Sequence, residues 1–337
     1  MSLPLIDKIT WKIKNHTEVF LQKFKKSELP SGCLSHRLDP RDILFGASIK
    51  MDRPKHSIFT MSNDIWRYSQ NPFNTCVFAS GVMGASHQEG KRFSIRFAVQ
   101  LARKLGMITG NGFSYLRAMR EISIKYGRLP YEMMPDEING MSWQEYSSYQ
   151  ITDEMMREAA KWKAPSYKKI TNASEAILAL EMGYALFSAN DWYQTMNYPQ
   201  PDDYYLSQGG RKVGAHAWFV GNYRSQNGFI KDYQTVQSFG FYYGEEGKAR
   251  LKSLFGKGHF EVYIEEKIPG RTDLERVLGV YEGKCISGYD DPGFYKVEYG
   301  KKRGFVNWEA YTKAGKPKCY EIPMELVNLI PDGELIY

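Results

Sequence analysis

The chain has 337 residues, of which 42% are hydrophobic and 25% charged, and it carries a formal net charge of +7. That length can bury a sizeable core in one large or two smaller domains, and the composition is ordinary for a globular protein. No run approaches the roughly 18 apolar residues of a membrane-spanning helix, four cysteines do not make a disulfide scaffold, and the dispersed Lys and Arg accompany no nucleic-acid motif.

Residues 1 to about 60 read as an N-terminal extension, with an amphipathic helix near Trp11–Lys26 and irregular chain through Pro54. Its start, Met1-Ser2-Leu3-Pro4, lacks the charged, apolar and small-residue succession of a secretory signal, so a cytoplasmic or virion-associated location is expected. A strap, a docking arm or a short prosegment are the roles such an extension suggests.

Residues 61–268 form the main body. Gln70-Asn71-Pro72-Phe73-Asn74-Thr75 is rich in turn-formers and runs into Cys76, where an apolar segment of helical character begins. A thiol at a helix N-terminus sits at the positive end of the backbone dipole, which favours the nucleophilic thiolate. A single buried cysteine is more often a core residue, so the case for chemistry depends on partners. Gln70, six residues upstream, can donate its amide to an oxyanion. Apolar spacings of three and four predict helices over 76–89, 92–105 and 113–126, and the chain turns β-rich from 185 to 264.

Within that β-rich half, His216 stands in the apolar run Gly214-Ala215-His216-Ala217-Trp218-Phe219, a costly place for an imidazole without partners. Sixteen residues on, Asp232 ends the short strand Phe229-Ile230-Lys231. A turn around Ser225-Gln226-Asn227-Gly228 would set the Asp232 carboxylate beside the imidazole, to accept its Nδ1–H and fix its tautomer.

Residues 269–337 follow the breaker Pro269-Gly270. Val277–Tyr281, Gly293–Tyr299 and Gly304–Trp308 read as short strands with glycine turns, a small β-rich module, SH3-like, with Tyr281, Tyr289, Tyr295, Trp308 and Tyr311 available for contact. Cys285 and Cys319 lie in this region and could pair in an oxidising compartment; reduced thiols are the expectation.

In this order and spacing, Cys76, His216 and Asp232 resemble the nucleophile, base and orienting residue of the papain-like (C1-type) cysteine peptidases, in particular the divergent bacterial and viral members. Gln70–Ser80 is similar to the family's Gln-x-x-x-x-x-Cys segment, and Gly214-Ala215-His216-Ala217 to its Gly-Gly-His-Ala strand. Phe229–Asp232 resembles the strand that ends in Lys-Asn-Ser-Trp. Thr109–Ser114, Lys125-Tyr126-Gly127 with Leu129-Pro130-Tyr131, and Ala176–Tyr184 match intermediate segments. The separation of 140 residues (216 − 76) lies inside the range of about 130–150 known for that family. The sequence departs from it at Asn74-Thr75, Val77, Asp232 for Asn and Gln234 for Trp, and Phe239-Gly240 stands where a later Trp-Gly would.

The resemblance implies an α+β, papain-like two-subdomain fold, a helical half facing a β-barrel-like half. It implies a cysteine endopeptidase acting through a Cys76–His216–Asp232 triad and a thioester acyl-enzyme, with Gln70 at the oxyanion. No cofactor or metal is implied. The substrate is a polypeptide, and the C-terminal module or N-terminal arm could engage a protein partner. The departures leave open a weakly active or inactive structural or binding protein, such as a viral particle component. A cell-wall peptide amidase is disfavoured by the wide Cys–His spacing.

Overall fold

Among the described residues, two short strands, β1 (Cys33–Leu34) and β2 (Ile58–Thr60), precede the first helix. The computed structural model describes residues 33–34, 42, 44–46, 58–60, 68, 70, 72–138, 140–197, 206, 209–226, 229–236, 238, 248–256, 258–288 and 291–337. The helix expected near Trp11–Lys26 lies outside the described residues.

Helix α1 (Cys76–Glu89) is buried along its whole length and ends at Gly90, whose φ of 62° is a left-handed cap. Through Ser86 its sequence is apolar or small all round, as suits a helix enclosed by protein, and the polar His87-Gln88-Glu89 close it. Gly81 and Gly84 let neighbours approach: a Cβ at the first would strike Met119 and Arg120, at the second Phe187. Helix α2 (Ile95–Lys104) starts where Ser94 accepts from Phe97 N–H, followed by β3 (Ser114–Tyr115) and α3 (Leu116–Lys125). Two capped helices come next, α4 (Trp143–Ser147) behind a Ser142/Glu145 capping box and α5 (Asp153–Ala160) behind Thr152.

Asp136 holds the start of α2, accepting from Arg96 N–H at 2.9 Å and Ser94 Oγ–H at 3.1 Å. Burial pushes its carboxyl up to about 7, against the lowering effect of these hydrogen bonds. A carboxyl raised in the fold contributes most below its unfolded value, 3.8, and that contribution fades as pH rises through 7. We therefore expect stability to fall between pH 4 and 7 by on the order of 4 kcal/mol from this group. Asp136→Asn should flatten that slope in urea unfolding at pH 5 and pH 8.

The second half is a seven-stranded sheet: β4 (Tyr167–Ile170), then helix α6 (Ala173–Glu181), then β5 (Leu186–Tyr193), β6 (Lys212–Gln226), β7 (Phe229–Val236), β8 (Lys248–Leu251) and β9 (His259–Glu265). The order is β4-β9-β5-β6-β7-β8, every pair antiparallel, with β2 added on β6. Helix α1 packs on β6, joining the helical half to the sheet. A buried cluster reinforces that joint. Glu265 on β9 pairs with Arg120 at 2.7 Å and with Arg128, all three within the core. Burial pushes both guanidiniums down to about 9, so they stay charged at neutral pH.

The C-terminal stretch, expected as a separate module, contains α7 (Asp273–Tyr281), β10 (Cys285–Gly288), β11 (Tyr295–Glu298), β12 (Lys301–Gly304), α8 (Trp308–Lys313), β13 (Cys319–Ile322) and α9 (Met324–Leu329). Its sheet order is β12-β11-β10-β13, and β10 and β13 run parallel. A parallel pair with helices on the sheet is an α+β arrangement, not the SH3-like module expected. Val277–Tyr281, read as a strand, is helical because Thr272 and Glu275 form a capping box and Val277, Val280 and Tyr281 recur at helical spacing on the module's core. Tyr281 and Tyr311 are consequently buried and Tyr295 partly so; Trp308 is exposed and Tyr289 lies outside the described residues. Arg276 of α7 reaches the buried carboxylate of Glu89 at 3.2 Å, tying the module to the end of α1.

Candidate active site

Cys76 is fully buried at the first position of α1, and Thr75 before it supplies no side-chain cap. The N–H groups of a helix's first turn point out of its end, beside the sulfur. The preceding loop is held on both sides. Phe73 N–H donates to Gln70 O at 2.6 Å and Gln70 Nε2 to Phe73 O at 3.1 Å, closing a tight turn. Asn74 N–H donates to Asn111 O at 2.9 Å, and their side-chain amides also bond. Gly112, at φ 124°, admits this contact, since a Cβ there would lie 2.8 Å from the Asn74 carbonyl carbon. The segment 109–114 singled out in the sequence thus buttresses the loop that ends at Cys76.

Gln70 is anchored by the other half. Its N–H donates to Ser238 O at 2.7 Å, and Ser238 Oγ–H donates to its side-chain carbonyl. Ser238 follows Val236, the register partner of Phe219 on β6, so the ribbon carries Ser238 toward the His216 end of β6. Gln70 and the thiol-bearing loop are therefore gathered at that end. His216 is fully buried, edge-on to Trp192 with ring centroids 5.0 Å apart and 5.9 Å from Trp218. These two indoles surround the imidazole, whereas Gln234, at the position expected to shield it, accepts from Asn222 Nδ2 at 3.2 Å.

Asp232 lies elsewhere. It is the register partner of Arg224, whose guanidinium grips it at 3.0 Å through Nε and 2.6 Å through Nη2. Residue 224 is eight positions along β6 from His216, on the order of 25 Å of strand. Pairing 216 with 232 would need the hairpin to turn at residue 224, which is inside β6. The expectation that Asp232 orients His216 is corrected on that register. Phe239 and Gly240, the suggested counterparts of Trp-Gly, lie outside the described residues.

Asn190, which the sequence reading passed over, is the register partner of His216 on β5. It is fully buried, and among the described residues neither its amide nitrogen nor its oxygen has a hydrogen-bond partner. A polar residue in the buried strand Leu186-Phe187-Ser188-Ala189 was the only trace of it in the sequence. A second addition is Cys33 on β1, which pairs with Ser114 of β3. Burial pushes its thiol well up, and Cys76 and Glu261 push the same way, so β1 lies within the electrostatic surroundings of Cys76. Among the described residues no group of three or more His, Cys, Asp or Glu is arranged to hold a metal.

Solved structures share this architecture. Xylellain, a cysteine protease from Xylella fastidiosa, superposes with a TM-score of 0.60 at 14% identity, over 71% of this chain and 96% of its own. Procathepsin L 3 of the Tenebrio molitor larval midgut gives 0.56 at 14% identity, over 79% and 94%. Procathepsin B from Trypanosoma congolense gives 0.55 at 10% identity, over 72% and 89%. The fold is papain-like. No family model matches the sequence, and no curated protein does either. The papain-like halves are the α1–α3 bundle and the sheet around β6, and Cys76 and His216 come from opposite halves. Since 96% of xylellain is covered by 71% of this chain, the chain carries length beyond the shared fold. Among the described residues no helix is long and apolar enough to cross a membrane.

Proposed function

We propose that the chain is a cysteine endopeptidase that hydrolyses polypeptides through a thioester. The observation that carries this reading is a buried cysteine opening a buried helix whose preceding loop is tied, through Gln70 and Ser238, to the His216 end of β6. Cys76 Sγ attacks the scissile carbonyl, and His216 holds the thiol's proton and delivers it to the leaving amine. Gln70 and the Cys76 N–H donate to the oxyanion, each worth about 3–4 kcal/mol. Strand β1, paired with β3, acts as a strap on the helical half.

The orienting role passes in this reading from Asp232 to Asn190, whose amide lies one cross-strand pair from the imidazole. Asn190→Ala is expected to lower kcat about 10²–10³-fold and shift its pH profile, with KM little changed. Asp232→Ala should instead lower stability by freeing Arg224, leaving kcat per folded molecule near wild type. Steady-state kinetics over pH 5–9 with circular-dichroism melts check both; a loss of kcat confined to the Asp232 variant would return the role to it. The decisive experiment for the function is the pH profile of Cys76 alkylation by iodoacetamide, assayed beside cleavage of unfolded protein. Rapid alkylation below about pH 7 marks an ionised site, and its absence marks a shell without turnover.

A further inference from the structure

The two cysteines of the C-terminal module, 34 residues apart, are register partners on the parallel strands β10 and β13, and their Sγ atoms lie 2.9 Å apart. Both are thiols in the structure. Directly paired residues on adjacent strands project to one face, with backbones about 4.8 Å apart, inside the range a disulfide spans. The bond needs side-chain rotation, not movement of the sheet. We propose that Cys285 and Cys319 form a reversible disulfide that staples the outer strand of the C-terminal sheet.

The surroundings distinguish the two sulfurs. Cys285 is buried and Cys319 half-buried, so an external reagent meets Cys319 first. Their mutual hydrogen bond raises the Cys285 thiol and lowers that of Cys319, which is aided further by Ser287 and the Tyr320 N–H. The oxidant is a small disulfide of the glutathione class. Cys319 releases its proton to solvent, its thiolate attacks one sulfur of the reagent, and one small thiolate leaves. That thiolate takes the proton of Cys285. The Cys285 thiolate attacks Cys319 Sγ and expels the second small thiolate, which picks up a proton from solvent. Two protein thiols become one disulfide, and one small disulfide becomes two thiols.

The staple sits where it has mechanical effect. In the order β12-β11-β10-β13, strand β13 is hydrogen-bonded to β10 alone among the described strands and leads through Pro323 into α9. Short edge strands held by one ladder open first in local unfolding. Pro323, Leu326 and Leu329 of this segment line a cavity of about 340 Å³ with Val277 and Val280 of α7 and with Met182 of the main body. The covalent tie at β13 holds one wall of that cavity, so the redox state of the pair sets how firmly α9 is seated.

The test uses the full chain with Cys76→Ser, which removes the candidate nucleophile from the exchange and makes the result independent of the proposed peptidase activity. Samples are equilibrated in graded mixtures of reduced and oxidised glutathione, quenched in acid, denatured, alkylated, weighed and mapped. Three alkylated thiols should fall to one, with the peptides of Cys285 and Cys319 joined. The unfolding midpoint should rise, and amide exchange over Met324–Leu329 should slow. Cys285→Ser should stop at a mixed disulfide on Cys319, and Cys319→Val should show neither cross-link nor change in exchange. Three free thiols in fully oxidised glutathione overturn the proposal, as does a stable adduct on Cys319 without the cross-link, or a cross-link that uses Cys33.

Discussion

Replacing Cys76 by alanine is expected to lower peptide-bond cleavage by about 10⁴-fold or more, to the level a papain-like cleft retains from binding and oxyanion donors alone. It should also abolish labelling by thiol-directed reagents. The effect belongs to chemistry and not to folding. The side chain is fully buried in α1, and losing one sulfur from it costs on the order of 1 kcal/mol of burial, well inside what a domain tolerates. The measurement is kcat/KM on an unfolded protein substrate beside a urea titration of the same preparation. Cleavage by the alanine variant at the wild-type rate would remove Cys76 from the mechanism and the peptidase reading with it.

Glu265→Gln is expected to destabilise the fold by about 3–5 kcal/mol, the range for a buried ion pair that loses one partner. Glu265 faces Arg120 and Arg128, and none of the three side chains is appreciably exposed. A neutral amide leaves two buried guanidiniums without their shared carboxylate: Arg120 keeps the face of Phe187, 3.7 Å from its guanidinium carbon, and Arg128 keeps a hydrogen bond to the Trp162 carbonyl at 3.4 Å, neither of which supplies a compensating charge. The group also joins the halves, since Arg120 belongs to α3 and Glu265 to β9. Urea unfolding of the variant should show the midpoint lowered with little change in slope. Substituting all three together, Glu265→Leu with Arg120→Met and Arg128→Met, should restore most of the loss, because no buried charge then lacks its partner. A single-variant loss under about 1 kcal/mol would mean that water reaches the cluster.

Much of the fold was legible from periodicity. The three helices of the first half and the β-rich second half fall where apolar spacing predicted them, because each buries one continuous apolar surface. Val277–Tyr281 was misread because β-branched and aromatic residues favour a strand locally, while a capping box and burial against β10 and α9 make it helical. Asp232 was misread for another reason. Chain distance from His216 matched, but register is set by where the hairpin closes, and closing it after Gln226 pairs Asp232 with Arg224.

The amino-acid sequence by itself determined that Cys76 opens a helix and that an apolar strand carries His216, because turn chemistry and hydrophobic period are local properties of the chain, and it was the resemblance of those motifs to a known family that implied one two-part fold. The tertiary structure alone decided which groups stand beside them: Ser238 on Gln70, Asn190 opposite His216, Arg224 on Asp232 and Cys285 against Cys319. Those pairings depend on strand register and on the approach of segments distant in the chain, and a shift of one residue in either would replace every partner while leaving the local pattern intact.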